Sequence, residues 1–427
     1  MDKKRVLTCL LVLPLLFSCG QPSRKAEAVR GERRIPELLA AVPSDALAVI
    51  CYDHLSEGMR YLDSTSVLHK LDLGAFKNAR MALSLCYNGS LVPVLALDAG
   101  RAEADSASAA GALLAQAAAL RLHAAYISPD GEARKRGMLL ITPSDAQLTA
   151  VRRHISGYTS ILDAPGFRNA LAEAASSEFI ILRGGTAPAR LAPKGWLQDV
   201  FPRRELTSFL GTVAEWTVLT PDGKDAFDVK PVCEKDDVYF ANILADFPCG
   251  ECRLGTILPK DNRFVLDLTV TLPQTRKALE RWQDASVNLT RYNRQLDALR
   301  DRSGKDPRKW EQEVDVREVA LVHAEGGPVV LVRPAKPATE RECTENPWRG
   351  FLPALYGNAF ALADDSCTAC SHGWQIYGSP DAVRAFIDAM APTGNAPVHT
   401  RLVVLQPHKT LAWGKKGIGL VLWNTNQ

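Results

Sequence analysis

Two stretches of this chain begin in the same way. Val42-Pro43-Ser44-Asp45 leads into the apolar run Ala46 to Tyr52, and Leu258-Pro259-Lys260-Asp261 leads into Arg263 to Leu268. Both starts continue alike. Two apolar runs flank Asn88-Gly89 in the first half and Gly326-Gly327 in the second. Such turns demand positive φ and join antiparallel strands. Later, Ser144-Asp145-Ala146-Gln147 and Ser379-Pro380-Asp381 each place a serine where it caps a helix. The order strand, helix, hairpin, connector, hairpin, capped helix therefore recurs about 216 to 237 residues apart. The fold class implied is α+β: two topologically similar lobes of antiparallel-rich sheet with helices packed on one face.

The expected division is a first α+β lobe over residues 36–184, a connector and antiparallel meander over 185–255, and a second lobe over 256–427. A chain of 427 residues exceeds what one core usually fills. Within the meander, Trp216 to Thr220 and Phe227 to Val232 read as a hairpin and Val238 to Leu244 as one more strand. In the second lobe a single long helix is expected from Gln274 to about Arg300. Trp282, Ala285, Leu289, Tyr292, Leu296 and Leu299 share one of its faces. Asn358 to Leu362 and Trp374 to Tyr377 read as two strands.

Ahead of the repeat lies a different kind of segment. Lys3, Lys4 and Arg5 precede an apolar run from Val6 to Phe17, too short for a bilayer core and interrupted by Pro14. It ends in Leu16-Phe17-Ser18-Cys19, which resembles the lipobox of bacterial lipoproteins. The resemblance implies that residues 1–18 are a signal peptide, that Cys19 is acylated, and that the rest hangs from a membrane by lipid. Residues 19–35 are polar and basic and read as a flexible tether. Some lipoproteins carry acidic residues just after the lipid cysteine, a pattern associated with surface display; none lies between Gly20 and Ser23, so the resemblance implies the periplasmic side of a cell membrane or outer membrane.

The net charge of +3 argues against a dedicated nucleic-acid partner. Outside Cys9 and Cys19, eight cysteines remain, an even number that suits disulfides in an exported protein. Cys249-x-x-Cys252 and Cys367-x-x-Cys370 fall in expected turns. With His372 beside the second, the alternatives are disulfides or spare thiols, a metal site, or redox chemistry. Cys51 and Cys86 lie in two strands of one expected sheet and are candidates for a cross-strand disulfide. Asp364-Asp365 reads as a polar turn. The arginines of the long helix, Arg276 among them, read as a solvated face. Trp348 and Trp413 stand in loop-like contexts and are candidate ligand contacts.

No His-Glu-x-x-His helix, Gly-x-Ser-x-Gly elbow, Ser-x-x-Lys pair or phosphate loop occurs. No catalytic residue and no cofactor is assigned. The Pro-x-Asp strand starts, the hairpins, the capped helices and Leu162-Asp163-Ala164-Pro165-Gly166-Phe167 together are similar to an uncharacterised two-repeat lipoprotein family of the Bacteroidota. That resemblance implies the architecture and the address and supplies no activity. The expectation is a lipid-anchored envelope protein that binds or scaffolds an envelope protein or glycan, with the groove between the lobes as the place for it. The alternative is an envelope hydrolase with an inter-lobe site.

Overall fold

The computed structural model describes residues 37–61, 66–100, 108–128, 136–191, 211–223, 226–259, 262, 264–286, 289–390, 397–406, 409–414 and 417–422. The signal segment, Cys19 and the tether lie outside the described residues.

The first lobe carries β1 (Ala48–Tyr52), β2 (Met81–Tyr87), β3 (Leu91–Gly100), β4 (His123–Ile127), β5 (Gly137–Thr142), β6 (Phe179–Arg183), β7 (Trp216–Pro221) and β8 (Ala226–Val232). The second half adds β9 (Gly250–Cys252), β10 (Phe264–Thr269), β11 (Val316–Ala324), β12 (Gly327–Pro334), β13 (Arg341–Glu345), β14 (Cys367–Ser371) and β15 (Trp374–Gly378). It ends with β16 (Val398–Thr400), β17 (Leu402–Gln406), β18 (Lys409–Gly414) and β19 (Gly417–Leu422). All the pairings are antiparallel. Across the first lobe they run β4-β5-β3-β2-β1-β6-β7-β8. Across the second they run β14-β15-β12-β11-β10-β17-β18-β19, with β13 added beside β14. Strand for strand, the two orders are the same.

The hairpin β7–β8 pairs with β6 and so extends the first lobe's sheet, which divides the expected 185–255 segment. Its counterpart is β18–β19. These two outermost strands then pair with each other. Val229 faces Ile418, Asp228 faces Gly419, and Phe227 faces Leu420. Following the ladders outward from β1 and β10 makes Val229 the counterpart of Leu420 and Phe227 the counterpart of Ile418. The junction register is therefore symmetric about the Asp228–Gly419 pair. One sheet of 17 strands results, with β9 and β16 forming a separate pair.

The helices are α1 (Ala109–Ala119), α2 (Asp145–Ser156), α3 (Phe167–Glu173), α4 (Phe240–Ala245), α5 (Gln274–Ser286), α6 (Leu289–Ser303), α7 (Pro307–Val314), α8 (Phe351–Tyr356) and α9 (Pro380–Ala389), besides shorter turns. The capped helices lie on one face of the sheet. Leu148, Val151 and Ile155 of α2 pack with Val49, Ala82 and Leu140, and Val383 and Phe386 of α9 pack with Val265, Ala320 and Ile376. The opposite face is covered too, by one core that both lobes share. Ile50, Leu83, Phe227 and Val229 belong to it, as do Leu266, Leu321, Leu402 and Trp413. Helices α1 and α4 to α8 contribute Leu113, Ile243, Leu279, Leu296, Trp310 and Leu355. Strands buried on both faces have no polar side, which is why β5 and β10 read as near-continuous apolar runs.

The expected caps are in place. Ser144 Oγ accepts from the Gln147 N–H at 3.3 Å and Ser379 Oγ from the Ala382 N–H at 3.2 Å. Asp306 accepts from the Arg308 and Lys309 amides, with Pro307 opening α7. Asp163 accepts from the Ser160 N–H at 2.9 Å, and α3 begins only after Gly166.

Two expected elements differ. Val238 to Leu244 is not a strand but mostly helix α4, whose Phe240, Ile243 and Leu244 are buried. A short apolar run does not distinguish a buried strand from a buried helix. Asn358–Phe360 is a 3-10 turn, and the partner of β15 is Cys367–Ser371, whose small polar letters read as a turn. The expected long helix is described over α5 and α6, and residues 287–288 between them lie outside the described residues. Trp282, Tyr292, Leu296 and Leu299 are buried as its pattern requires, whereas Ala285 is exposed. No described helix is long and apolar enough to cross a membrane.

Candidate functional site

A buried polar cluster lies where β9 crosses β10 and β11. Asp267 and Glu318 each interrupt an apolar strand, in Phe264-Val265-Leu266-Asp267-Leu268 and in Glu318-Val319-Ala320-Leu321-Val322. Both are buried, at 2% and 0% exposure, and so is Cys252 of β9. The Cys252 thiol donates to Asp267 Oδ2 at 2.8 Å. Glu318 accepts from the Arg253 N–H at 3.0 and 2.9 Å, from the Leu254 N–H at 2.8 Å, and from Arg333 Nε at 2.7 Å. Arg333 Nη2 also donates to the Glu251 carbonyl at 2.6 Å. The other oxygen of Asp267, Oδ1, is buried without a hydrogen-bond partner.

Local sequence builds this approach. Gly250 packs so closely on β10 that a Cβ there would lie 2.8 Å from Thr269 Cβ, so a larger residue would push β9 off the sheet. Thr269 Oγ1 in turn donates to the Thr400 carbonyl at 2.6 Å, tying β16 to the same edge. Burial pushes the Asp267 carboxyl well above the usual carboxylate range, and the neighbouring Glu318 charge pushes it further. Burial, then the Asp267 and Glu318 charges, raise the Cys252 thiol in the same way. The group thus sets an acid and a thiol, both favoured in their neutral forms, beside the Glu318–Arg333 salt bridge. Cys252, Asp267 and Glu318 bring ligand atoms within 4.8 Å of one another. Among the described residues, this is the one grouping of three or more such side chains.

The sequence-derived cysteine set is not brought together. Cys343 and Cys367 form a disulfide, their Cα atoms 5.9 Å apart, while Cys249, Cys252 and Cys370 are free thiols. Cys367 and Cys370 lie in strand β14, not in a turn. The Cys-x-x-Cys spacing puts their side chains on opposite faces of that strand, which is why they do not act as a unit. His372 sits at the β14–β15 turn, its Nδ1 3.0 Å from Ser371 Oγ and its N–H donating to Glu340 at 2.7 Å. Cys51 and Cys86 are buried free thiols and do not pair. Cys51 faces Ala82, four positions along β2 from Cys86, so the register keeps them apart. Burial pushes the Cys86 thiol up to about 12 and the Cys51 thiol higher still.

Trp348 and Trp413 are not open platforms. Trp348 is half-buried against Phe351, with ring centroids 5.5 Å apart, and Trp413 is buried in the shared core. Asp364 and Asp365 hold a turn, accepting from the Ser366 and Gly350 amides at 2.9 Å. Arg276, read as solvated, is buried on Glu311. The junction between the lobes is occupied by the β8–β19 ladder and the shared core. Two clefts lie away from that ladder. A cavity of about 70 Å³ in the first lobe is lined by Cys51, Asp53, Arg80, Asp98, Arg136 and Ser177. An open groove of about 460 Å³ runs between β13 and α9, past Arg341, Glu342, Cys370, Arg384 and Asp388.

No family model matches this chain, and neither a curated protein nor a solved structure matches it.

Sequence reasoning missed the acidic members of the cluster. The available signal was a lone acid inside an otherwise apolar strand, which must be paired or neutralised if the strand is buried.

Proposed function

We propose that the protein is a lipid-anchored component of the cell envelope that acts as a rigid binding platform. In this reading Cys19 carries the lipid, the lobes face the periplasm, and the partner is an envelope protein. Membership of the two-repeat lipoprotein family of the Bacteroidota is part of the same proposal. The observation that carries it is the β8–β19 ladder. Lobes joined through a shared sheet and a shared core do not hinge about a cleft, so surfaces at the two ends stay at a fixed separation. A fixed separation suits holding partners rather than closing over a substrate.

The test is crosslinking in intact envelopes followed by pull-down, with Cys19→Ala as the control that releases the anchor. The expected result is an envelope protein that enriches with the anchored form alone. Equal recovery with both forms, or recovery of glycan without protein, overturns the platform reading.

A further inference from the structure

The second lobe holds a polar group that the shared architecture does not require. Register makes Asp267 the counterpart of Cys51, since each opposes an alanine, Ala320 and Ala82. Two residues from those alanines stand Glu318 and Arg80. The first-lobe cavity therefore has a thiol and an arginine where the second lobe has two acids. Among the described residues, a strand that brings a cysteine onto the pair, β9, is present in the second lobe alone.

Burying two carboxyl groups beside a thiol is costly unless a charge or a proton offsets each. Glu318 is served by three donors, the Arg253 and Leu254 amides and Arg333 Nε. The Arg253 N–H is shared between both oxygens, so these donors make four contacts, and Glu318 ligates a metal by giving up one of them. Asp267 Oδ1 is an unused acceptor, fully buried and without a partner. Cys252 Sγ completes the set within 4.8 Å. The three side chains thus bring three donor atoms close together, one from each residue. With thiolate and both carboxylates ionised, Arg333 and one dication neutralise the group.

We propose that Cys252, Asp267 and Glu318 form a binding site for a single divalent cation of the zinc type. The thiolate selects a borderline-soft ion over calcium or magnesium, which prefer all-oxygen sets. Every ligand is buried, so no position is left open to substrate, and the site is structural in kind. Its role is to fasten β9, and with it the entry into the second lobe, to β10 and β11. Binding releases two protons, one from the Cys252 thiol and one from the Asp267 carboxyl, as Sγ and the Asp267 oxygens move onto the metal.

The test uses the full-length protein in detergent, stripped with chelator and then titrated with Zn²⁺ or Co²⁺. The expected result is one bound zinc per chain by elemental analysis, and a sulfur-to-cobalt charge-transfer band with Co²⁺. Cys252→Ser and Asp267→Asn abolish both, while Cys249→Ser keeps both. Circular dichroism reports whether each variant is folded. Asp267→Asn is nearly isosteric with the neutral acid, so it stands in if Cys252→Ser fails to fold. A wild-type protein without the cobalt band, or zinc retained by folded Asp267→Asn, overturns the proposal. Loss of zinc in Cys249→Ser with retention in Cys252→Ser does so as well.

Discussion

Glu318 occupies in the second lobe the place that Arg80 holds in the first, and each pairs with the opposite charge on the neighbouring strand. Arg80 Nη2 lies 3.1 Å from Asp98 Oδ2, and Arg333 Nε lies 2.7 Å from Glu318 Oε2. The polarity is reversed between repeats and the burial differs as well. The Arg80 side chain is 53% exposed, whereas that of Glu318 is 0% exposed. Exposure decides what each pair contributes.

Replacing Glu318 with alanine leaves Arg333 and two amides without their acceptor inside the protein. The expected cost is about 3–5 kcal/mol. Arg80→Ala loses a largely solvated partner and is expected to cost less than about 1 kcal/mol. Urea unfolding of the two variants beside wild type measures the contrast, and equal costs would refute it.

A second buried pair offers a sharper form of the same test. Arg276 holds Glu311 through Nε at 2.7 Å and Nη2 at 2.5 Å, donates to the Leu355 carbonyl at 2.8 Å, and shares Glu311 with the Tyr356 hydroxyl. These contacts fix α5 against α7 and α8. Glu311→Ala is expected to lose about 3–5 kcal/mol, and the double change Arg276→Met with Glu311→Leu to lose less than that single change. Thermal denaturation in which the double variant melts below the single one would contradict this account.

Asp98 predicts part of the acid sensitivity. Burial alone would raise its carboxyl. Hydrogen bonds from Arg136, from the Gly100 N–H and from Arg80 outweigh burial and hold it below the usual range. A carboxylate depressed in the folded state adds stability that is complete above its unfolded value, near ~3.9, and is lost as pH falls through the folded value. Asp98→Asn removes that contribution, so its stability should fall less steeply below about pH 4. Urea midpoints compared at neutral and acid pH decide the matter, and parallel profiles would count against it.

The Cys343–Cys367 bridge spans 24 residues and ties the edge strand β13 to β14. Closing a loop of this length stabilises a chain by about 3 kcal/mol. Reductant should lower the melting temperature of wild type and leave Cys343→Ser unchanged. An identical response from both proteins would place the effect elsewhere.

The parts of this fold that announce themselves in sequence are the local ones. Pro-x-Asp starts, the Asn88-Gly89 turn and the serine caps act within a few residues, so their letters suffice. The β8–β19 ladder joins residues nearly two hundred positions apart, and neither strand carries a mark of its partner. The hairpin Trp216 to Val232 was legible as a hairpin, but its place in the first lobe depends on pairing with β6. The candidate site failed for a related reason. Cysteine spacing drew attention to Cys249, Cys252, Cys367 and Cys370, of which Cys252 alone joins the ligand-like group, with two acids from strands distant in sequence. Arg276 misled because an arginine among interspersed acids looks solvated until the facing helix supplies Glu311.

The symmetric register at Asp228 and Gly419 bears on assembly. Equivalent strands meet antiparallel across a pseudo-twofold, the arrangement by which two identical subunits form an isologous dimer. The protein is in effect such a dimer written as one polypeptide. Fusion frees the two copies to diverge: Asp267 and Glu318 can appear in one half without a second, unwanted copy in the other. A single lobe released by cleavage would bare β8 and find its natural mate in another released lobe.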